Sequence, residues 1–115
     1  MPLSRATFAL IVANSIVFLI TLSQSARFSE PSLQTLISFG ANFAPLTIFH
    51  GEVWRLFTSM FLHGGWIHLL VNMYSLYVIG AAVDFICGTK KYIMIYIVAG
   101  LAGSVASVMY SLVRL

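Results

Sequence analysis

Three long apolar segments that contain no Asp, Glu, Lys or Arg constrain this chain more than any other feature. They cover residues 6–22, 67–83 and 92–113. A helix crosses the hydrocarbon core of a bilayer with about 20 mostly apolar residues, and about 17 can suffice. Because a helix pairs its backbone groups internally, it can span lipid where an open strand cannot. The sequence therefore predicts an all-α membrane protein with three transmembrane helices.

The composition excludes a water-soluble domain. Hydrophobic residues make up 60% of the 115 residues and charged residues only 8%, whereas a soluble domain has about 25% charged residues. The net charge of +3 comes from six basic residues that form no patch, so we expect no nucleic-acid partner. We expect the lipid bilayer as a partner, with Lys90 and Lys91 facing acidic headgroups. The single cysteine, Cys87, allows no internal disulfide.

The first apolar segment has two interpretations. Residues 1–5 form a short basic leader and the tetrapeptide SQSA at 23–26 could be a cleavage site, as in a secretory signal. The apolar run is long for a signal peptide and further spans follow it, which favours an uncleaved helix.

The basic residues divide evenly between the two membrane sides, but those on the N-terminal side cluster closer to the helix ends, where the positive-inside rule counts most. We therefore predict a cytoplasmic N-terminus and a multi-pass protein of the bacterial cytoplasmic membrane. With that orientation the inner group is Arg5, Lys90 and Lys91, and the outer group is Arg27, Arg55 and Arg114.

Residues 23–65 form a long connection that is itself apolar. A hydrophobic segment of this length is expected to lie in the membrane interface beside the helices rather than in water. Trp54 and Trp66, near its end, suit interfacial anchoring.

Small residues recur at four-residue spacing in the third segment, which allows close helix approach in lipid. This pattern predicts a packing face and no chemistry. The candidate partner residues are Ala9 and Ala13 of the first segment, Gly80, Ala81 and Ala82 of the second, or helices beyond this chain. The small residues themselves are Ala99, Gly103, Ser107 and Ser111, with Gly100 and Ser104 as a second pair.

His68 and Asn72 lie four residues apart in the second segment, so a helix places them on one face. Polar groups in membrane helices are costly and face the bundle or a wet cavity. One interpretation is interhelical hydrogen bonding. The other is a pair of donors for a developing oxyanion. A zinc site at His63 and His68 is disfavoured because their spacing is five and no carboxylate or cysteine accompanies them.

The stretch at 54–84, WRLFTSMFLHGGWIHLLVNMYSLYVIGAAVD, resembles the first-loop and second-helix signature of the rhomboid intramembrane serine proteases. The likeness lies in Trp54 and Arg55, in the H-G-G-W-x-H-L-x-x-N run at 63–72, and in Gly80 and Asp84. It extends weakly over the preceding loop and through the third helix.

This resemblance implies a six-helix bundle of which the chain supplies the first three helices, with residues 23–65 as an interfacial first loop. It implies that His68 and Asn72 contribute to the oxyanion hole and that His63 supports the site. Trp54 and Arg55 would organise the first loop, and Asp84 stands where the family usually has glutamate. The family uses no metal and no organic cofactor, and its substrates are single-pass transmembrane proteins.

The serine nucleophile of such enzymes lies in a G-x-S-G motif and the base histidine lies two helices later. This sequence contains no G-x-S-G, and all three histidines precede the third segment. We therefore expect a fragment that lacks the C-terminal helices of the same protein and that does not hydrolyse peptide bonds alone. The alternatives are a natural noncatalytic rhomboid-like client binder and a small membrane scaffold.

Overall fold

The computed structural model describes residues 3–114, which contain helices and no strands. Three helices are long and apolar enough to cross a membrane: Arg5–Gln24, Trp66–Cys87 and Thr89–Val113. The predicted all-α class with three spanning helices is confirmed. In chain order the α-helices are α1 (Arg5–Gln24), α2 (Leu33–Ser38), α3 (Arg55–Thr58), α4 (Trp66–Ser75), α5 (Ala81–Cys87) and α6 (Thr89–Val113).

The second spanning helix is continuous but changes its pitch. A π-helical segment, Leu76–Gly80, joins α4 to α5. The helix runs past Asp84, where the apolar segment of the sequence stops, because the buried carboxylate accepts a hydrogen bond from the Thr89 hydroxyl at 2.8 Å. A single residue, Gly88, then turns the chain into α6 with φ of +88°. This conformation suits glycine, and it makes the two helices antiparallel neighbours.

Hydrogen bonds between buried side chains join α1 to α6. The hydroxyls of Thr7 and Tyr92 lie 2.9 Å apart, and Ser4 donates a further bond to Thr7. Two turns along, the Asn14 amide donates to the Tyr96 hydroxyl at 3.4 Å. The predicted small-residue contact through Ala9 and Ala13 is not used, because both are exposed. Hydrogen bonds between polar side chains, which stabilise helix contacts in lipid, join α1 to α6 instead.

Gly80 lets the second spanning helix pack closely against α6. It is buried, and a Cβ atom there would lie 2.5 Å from the Tyr92 hydroxyl oxygen. The close approach holds Tyr92 in position to bond Thr7. The close contact at this corner therefore depends on the absence of a side chain at Gly80, which the sequence predicts as a small packing residue.

The α1–α4 connection, residues 25–65, folds into short helical pieces. Besides α2 and α3 it contains a π-helical turn, Pro45–Phe49, and a 3₁₀ turn, Ser59–Phe61. Many of its large apolar side chains are exposed, which suits a surface embedded in the membrane interface. These side chains are Phe28, Leu33, Phe49, Val53, Trp54 and Phe57.

Trp66 ties this connection to the start of α4. Its ring packs edge-on against Phe18 of α1 with centroids 4.9 Å apart, and its Nε1–H donates to the Phe28 carbonyl at 2.8 Å. Phe18, Leu22 and Leu69 form the apolar core at this end. The contact fixes the N-terminus of α4 against α1.

Exchanging two helical glycines for alanine tests the Gly80 corner. We expect Gly80→Ala to lower the melting temperature in detergent, because the new methyl group displaces Tyr92 and such overpacking costs about 1–3 kcal/mol. Gly103→Ala is the matched control, since no atom lies within 4 Å of its Cβ position. Equal melting temperatures for the two variants would contradict the role of Gly80.

Candidate functional site

A groove of about 730 Å³ opens between α1, the second spanning helix and α6. Its walls are mostly apolar, but several polar side chains meet there. We call this cavity the groove throughout. Its polar lining residues are Asn14, Asn42, Ser59, His63, His68, Asn72, Ser75, Tyr92, Tyr96, Ser104 and Ser107.

His68 and Asn72 both line the groove from the first two turns of α4, and both side chains are exposed. The first bond within α4 is donated by the Leu69 amide to the Gly65 carbonyl at 3.0 Å. The amides before it, including that of His68, therefore have no acceptor in the helix. The positive end of the helix dipole lies there and favours negative charge. The surroundings of both side chains thus suit an anion.

His63 is buried beside His68. Only 3% of its surface is exposed, its Nδ1 has no hydrogen-bond partner in residues 3–114, and its ring centroid lies 5.2 Å from that of His68 in an edge-on arrangement. Burial, helped by the positive charge that His68 can carry, lowers the pKa of His63 from 6.5 to about 4. A neutral ring at this position supports His68 by packing rather than by charge.

Arg55 organises the connection that leads to the site. It is 6% exposed, and its Nη1 donates to the carbonyls of Ile37 at 2.7 Å and Ala41 at 3.1 Å. Its Nε pairs with Glu52 at 2.8 Å, and its guanidinium lies 4.6 Å from the ring of Trp54. One side chain therefore holds α2, the following turn and α3 together.

The small residues of α6 serve two different contacts. Gly100 faces Met60, and the Ser104 carbonyl accepts from the Asn42 amide at 2.8 Å while its hydroxyl lies 3.3 Å from that of Ser59. This pair therefore packs against the α1–α4 connection. Of the other predicted set, Ala99, Gly103 and Ser107 line the groove, as Gly100 and Ser104 also do, whereas Ser111 lies outside it.

Gly80 and Asp84 belong to the opposite end of the second spanning helix. Gly80 lines the groove below Asn72, and Asp84 is buried with its second carboxylate oxygen unpaired in residues 3–114. Neither touches His68 or Asn72. Their roles concern the helix turn rather than the donor pair.

Asn14 and Tyr96 were missed by the sequence interpretation, although both line the groove. The available signal was that Asn14 is the single carboxamide of the segment 6–22. Polar residues inside membrane helices mark candidate sites. Tyr96 carries no such signal, because aromatic residues are ordinary near membrane surfaces.

The described residues contain no cluster of three or more His, Cys, Asp or Glu side chains placed to hold a metal. Between residues 3 and 114 no histidine nitrogen bonds a serine hydroxyl, and the buried Nδ1 of His63 is unpaired. The groove thus presents donors without a paired nucleophile and base.

Comparison with known proteins identifies the family that this arrangement belongs to. Residues 50–114, which include α3 to α6, match the family model of the Rhomboid domain. The chain belongs to the rhomboid family. The predicted resemblance is thereby confirmed. We interpret the groove as part of a member of this serine protease family.

Several rhomboid proteins match most of the length of this chain. Rhomboid protease GluP of Bacillus subtilis is 42% identical over 78 residues, which are 68% of this chain and 15% of that protein. RHOMBOID-like protein 5 of Arabidopsis thaliana is 40% identical over 67% of the chain and 25% of its own length. Rhomboid-like protease 3 of Toxoplasma gondii is 31% identical over 85% of the chain and 36% of its own length.

The chain therefore spans about a sixth to a third of the length of these relatives. No solved structure matches it. The relatives support an integral membrane protein of a protease family.

Replacing Arg55 by lysine tests its hold on the connection. We expect Arg55→Lys to lower the free energy of unfolding by about 2 kcal/mol, because one ammonium group cannot reproduce the planar fork of donors. Limited proteolysis should then cut residues 25–65 faster. Arg27→Lys, at an exposed position, is the control and should leave the rate unchanged. Cleavage of Arg55→Lys at the wild-type rate would contradict the role of Arg55 in holding the connection together.

The pKa of His63 predicts a pH dependence of stability. His63 takes up a proton near pH 6.5 in the unfolded chain but only near pH 4 in the folded chain. The free energy of unfolding is therefore highest above pH 6.5 and falls as the pH drops from 6.5 to 4. The decrease amounts to about 2–3 kcal/mol. Melting temperatures in detergent from pH 7 to pH 4 measure it.

His63→Asn should flatten that profile, whereas His50→Asn, at an exposed position, should leave its slope unchanged. Identical slopes for the wild type and His63→Asn would contradict the burial of a neutral imidazole.

Proposed function

We propose that this chain is the N-terminal part of a rhomboid-type intramembrane serine protease and that His68 and Asn72 contribute to its oxyanion hole. The carrying observation is that both side chains lie on neighbouring turns of α4 and open into the groove without being buried. Within residues 3–114 neither side chain is engaged in a hydrogen bond to another helix, so both donors remain available to the groove.

The proposed chemistry uses the donors only when charge develops. A serine oxygen attacks the carbonyl carbon of the client's peptide bond while a histidine base takes the serine proton. The carbonyl electron pair moves onto its oxygen, and hydrogen bonds from His68 and Asn72 stabilise that oxyanion. Collapse expels the amine, protonated by the histidine, and water then releases the acyl group by the same steps.

The nucleophile and the base are proposed to lie in further helices of the same polypeptide. The sequence has no G-x-S-G motif, and the protease relatives are about three to seven times as long as the matched region. An oxyanion hole without a nucleophile has no intermediate to stabilise. The 115 residues alone are therefore proposed to be inactive, and the competing noncatalytic function predicts that no such helices exist.

The contacts of the basic residues support the proposed orientation. The Thr7–Tyr92 bond keeps the N-termini of α1 and α6 on one membrane side, where Arg5, Lys90 and Lys91 are exposed. On the other side Arg55 is buried in its contacts with Glu52 and backbone carbonyls. The positive-inside rule then favours a cytoplasmic N-terminus, and we propose the bacterial cytoplasmic membrane, with single-pass transmembrane proteins as substrates.

Cleavage of a single-pass transmembrane reporter in liposomes tests the proposal. We expect no cleavage by the 115-residue chain and cleavage by the complete gene product. In the complete protein, His68→Ala and Asn72→Ala should each lower kcat about 10²-fold, as the loss of one oxyanion donor does.

His50→Ala, which alters an exposed histidine outside the groove, should keep the wild-type kcat. If His68→Ala and Asn72→Ala both keep the wild-type kcat but have lower melting temperatures, the two side chains serve helix packing instead.

A further inference from the structure

Three exposed basic side chains meet at the end of the bundle where α1 and α6 begin. Arg5 is the first residue of α1, Lys90 and Lys91 lie in the first turn of α6, and all three are exposed. The hydroxyls of Thr7 and Tyr92, 2.9 Å apart, hold the two helix starts together. Arg5 and Lys90 each lie two residues before the bonded residue of their own helix, so both are about 3 Å nearer the end of the bundle. We call Arg5, Lys90 and Lys91 the basic rim.

No exposed carboxylate among residues 3–114 balances the charge of the basic rim. The chain has three acidic residues, of which Glu30 and Glu52 lie in the α1–α4 connection, beyond the opposite end of α1. The third, Asp84, lies near the rim, but it is 8% exposed and accepts a hydrogen bond from the Thr89 hydroxyl at 2.8 Å. This end of the bundle therefore presents positive charge to its surroundings and suits an anionic partner.

Exposed apolar side chains continue from the basic rim along the same helix faces. Phe8 lies three residues after Arg5, and Met94 lies four residues after Lys90. These spacings make each pair neighbours on the helix surface, and both Phe8 and Met94 are 58% exposed. A cation at the membrane boundary with an apolar side chain on its bilayer side matches the two parts of a phospholipid, which are a charged headgroup and acyl chains.

From this arrangement we propose that the basic rim binds the headgroup of an anionic phospholipid, whose phosphate contacts Arg5 on one helix and Lys90 or Lys91 on the other. The acyl chains of this lipid lie against Phe8 and Met94. Each basic residue near a membrane surface strengthens the attraction to acidic lipid roughly fivefold. Because one lipid contacts the starts of both helices, it also stabilises the folded arrangement that brings α1 and α6 together.

Native mass spectrometry of the 115-residue chain in detergent with added lipid measures the binding. We expect phosphatidylglycerol to bind at least about tenfold more tightly than phosphatidylcholine. Arg5→Gln and Lys90→Gln should each weaken the binding of phosphatidylglycerol about fivefold, whereas Lys90→Arg, which keeps the charge, should retain it.

Arg27→Gln is the matched control, because it removes the same charge from an exposed side chain beyond the opposite end of α1. It should keep the wild-type affinity. An equal loss of affinity in Arg27→Gln and Lys90→Gln would overturn the assignment to the basic rim, and equal affinities for the two lipids would overturn the proposal itself.

The native thiol reports where the lipid binds. Cys87 is the single cysteine of the chain, is exposed, and lies three residues before Lys90. In phosphatidylcholine vesicles, a bimane fluorophore on Cys87 should be quenched more strongly by phosphatidylglycerol with a nitroxide on its acyl chain than by phosphatidylcholine with the same nitroxide. The excess quenching should disappear when Lys90→Gln and Lys91→Gln are combined, and it should persist in Arg27→Gln. Equal quenching by the two labelled lipids would contradict a lipid at this end of the bundle.

Melting temperatures in detergent separate a bound lipid from free phosphate. We expect phosphatidylglycerol to raise the melting temperature of the chain by several degrees. Inorganic phosphate should raise it no more than sodium chloride of the same ionic strength, because only the lipid places acyl chains against Phe8 and Met94. An equal rise with inorganic phosphate would indicate a site for a free anion and would overturn the proposal. These measurements need no catalysis, so their outcome is independent of the protease proposal.

Discussion

Lipid offers no hydrogen-bond partner, and this constraint determines how the three spanning helices are held. The hydroxyls of Thr7 and Tyr92 and the amide of Asn14 with Tyr96 join α1 to α6 at two depths. Each bond removes an exposed polar group from an apolar solvent. Because Gly80 permits the approach of Tyr92, the second spanning helix is fixed by the same contact. The groove is the space that these contacts leave open.

The same constraint separates polar groups that stabilise the fold from those that remain available. Arg55 makes three hydrogen bonds and a contact with Trp54. Its guanidinium therefore stabilises the α1–α4 connection. His68 and Asn72 are exposed on the groove at the positive end of α4. Polar side chains kept in a membrane helix at such cost are expected to act on something outside it. We propose that this species is a developing oxyanion.

Hydropathy and spacing predicted the parts of this structure that depend on local sequence. The three helices follow from uncharged apolar runs, and the placement of His68 and Asn72 on one face follows from the helical repeat. The π-helical segment, Leu76–Gly80, was not predictable, because its sequence is ordinary for a helix. Asp84 ended the predicted span, but its bond to Thr89 lets the helix continue.

The division of the small residues of α6 also depends on tertiary contacts. Gly100 and Gly103 look alike in the sequence, yet one meets Met60 and the other meets open space. The rhomboid signature predicted the family correctly, and the oxyanion roles of His68 and Asn72 remain a prediction. Asn14 stands out in the sequence as the single carboxamide of its segment, but its bond to Tyr96 depends on the tertiary contact between α1 and α6.

The most direct test of the oxyanion assignment is a structure of the complete protein after reaction with a serine-directed fluorophosphonate, whose phosphoryl oxygen occupies the oxyanion position. The account predicts this oxygen within about 3 Å of the His68 imidazole and the Asn72 amide nitrogen, the distance of an effective oxyanion donor. A phosphoryl oxygen bound by other donors, with His68 and Asn72 bonded to neighbouring helices, would contradict it.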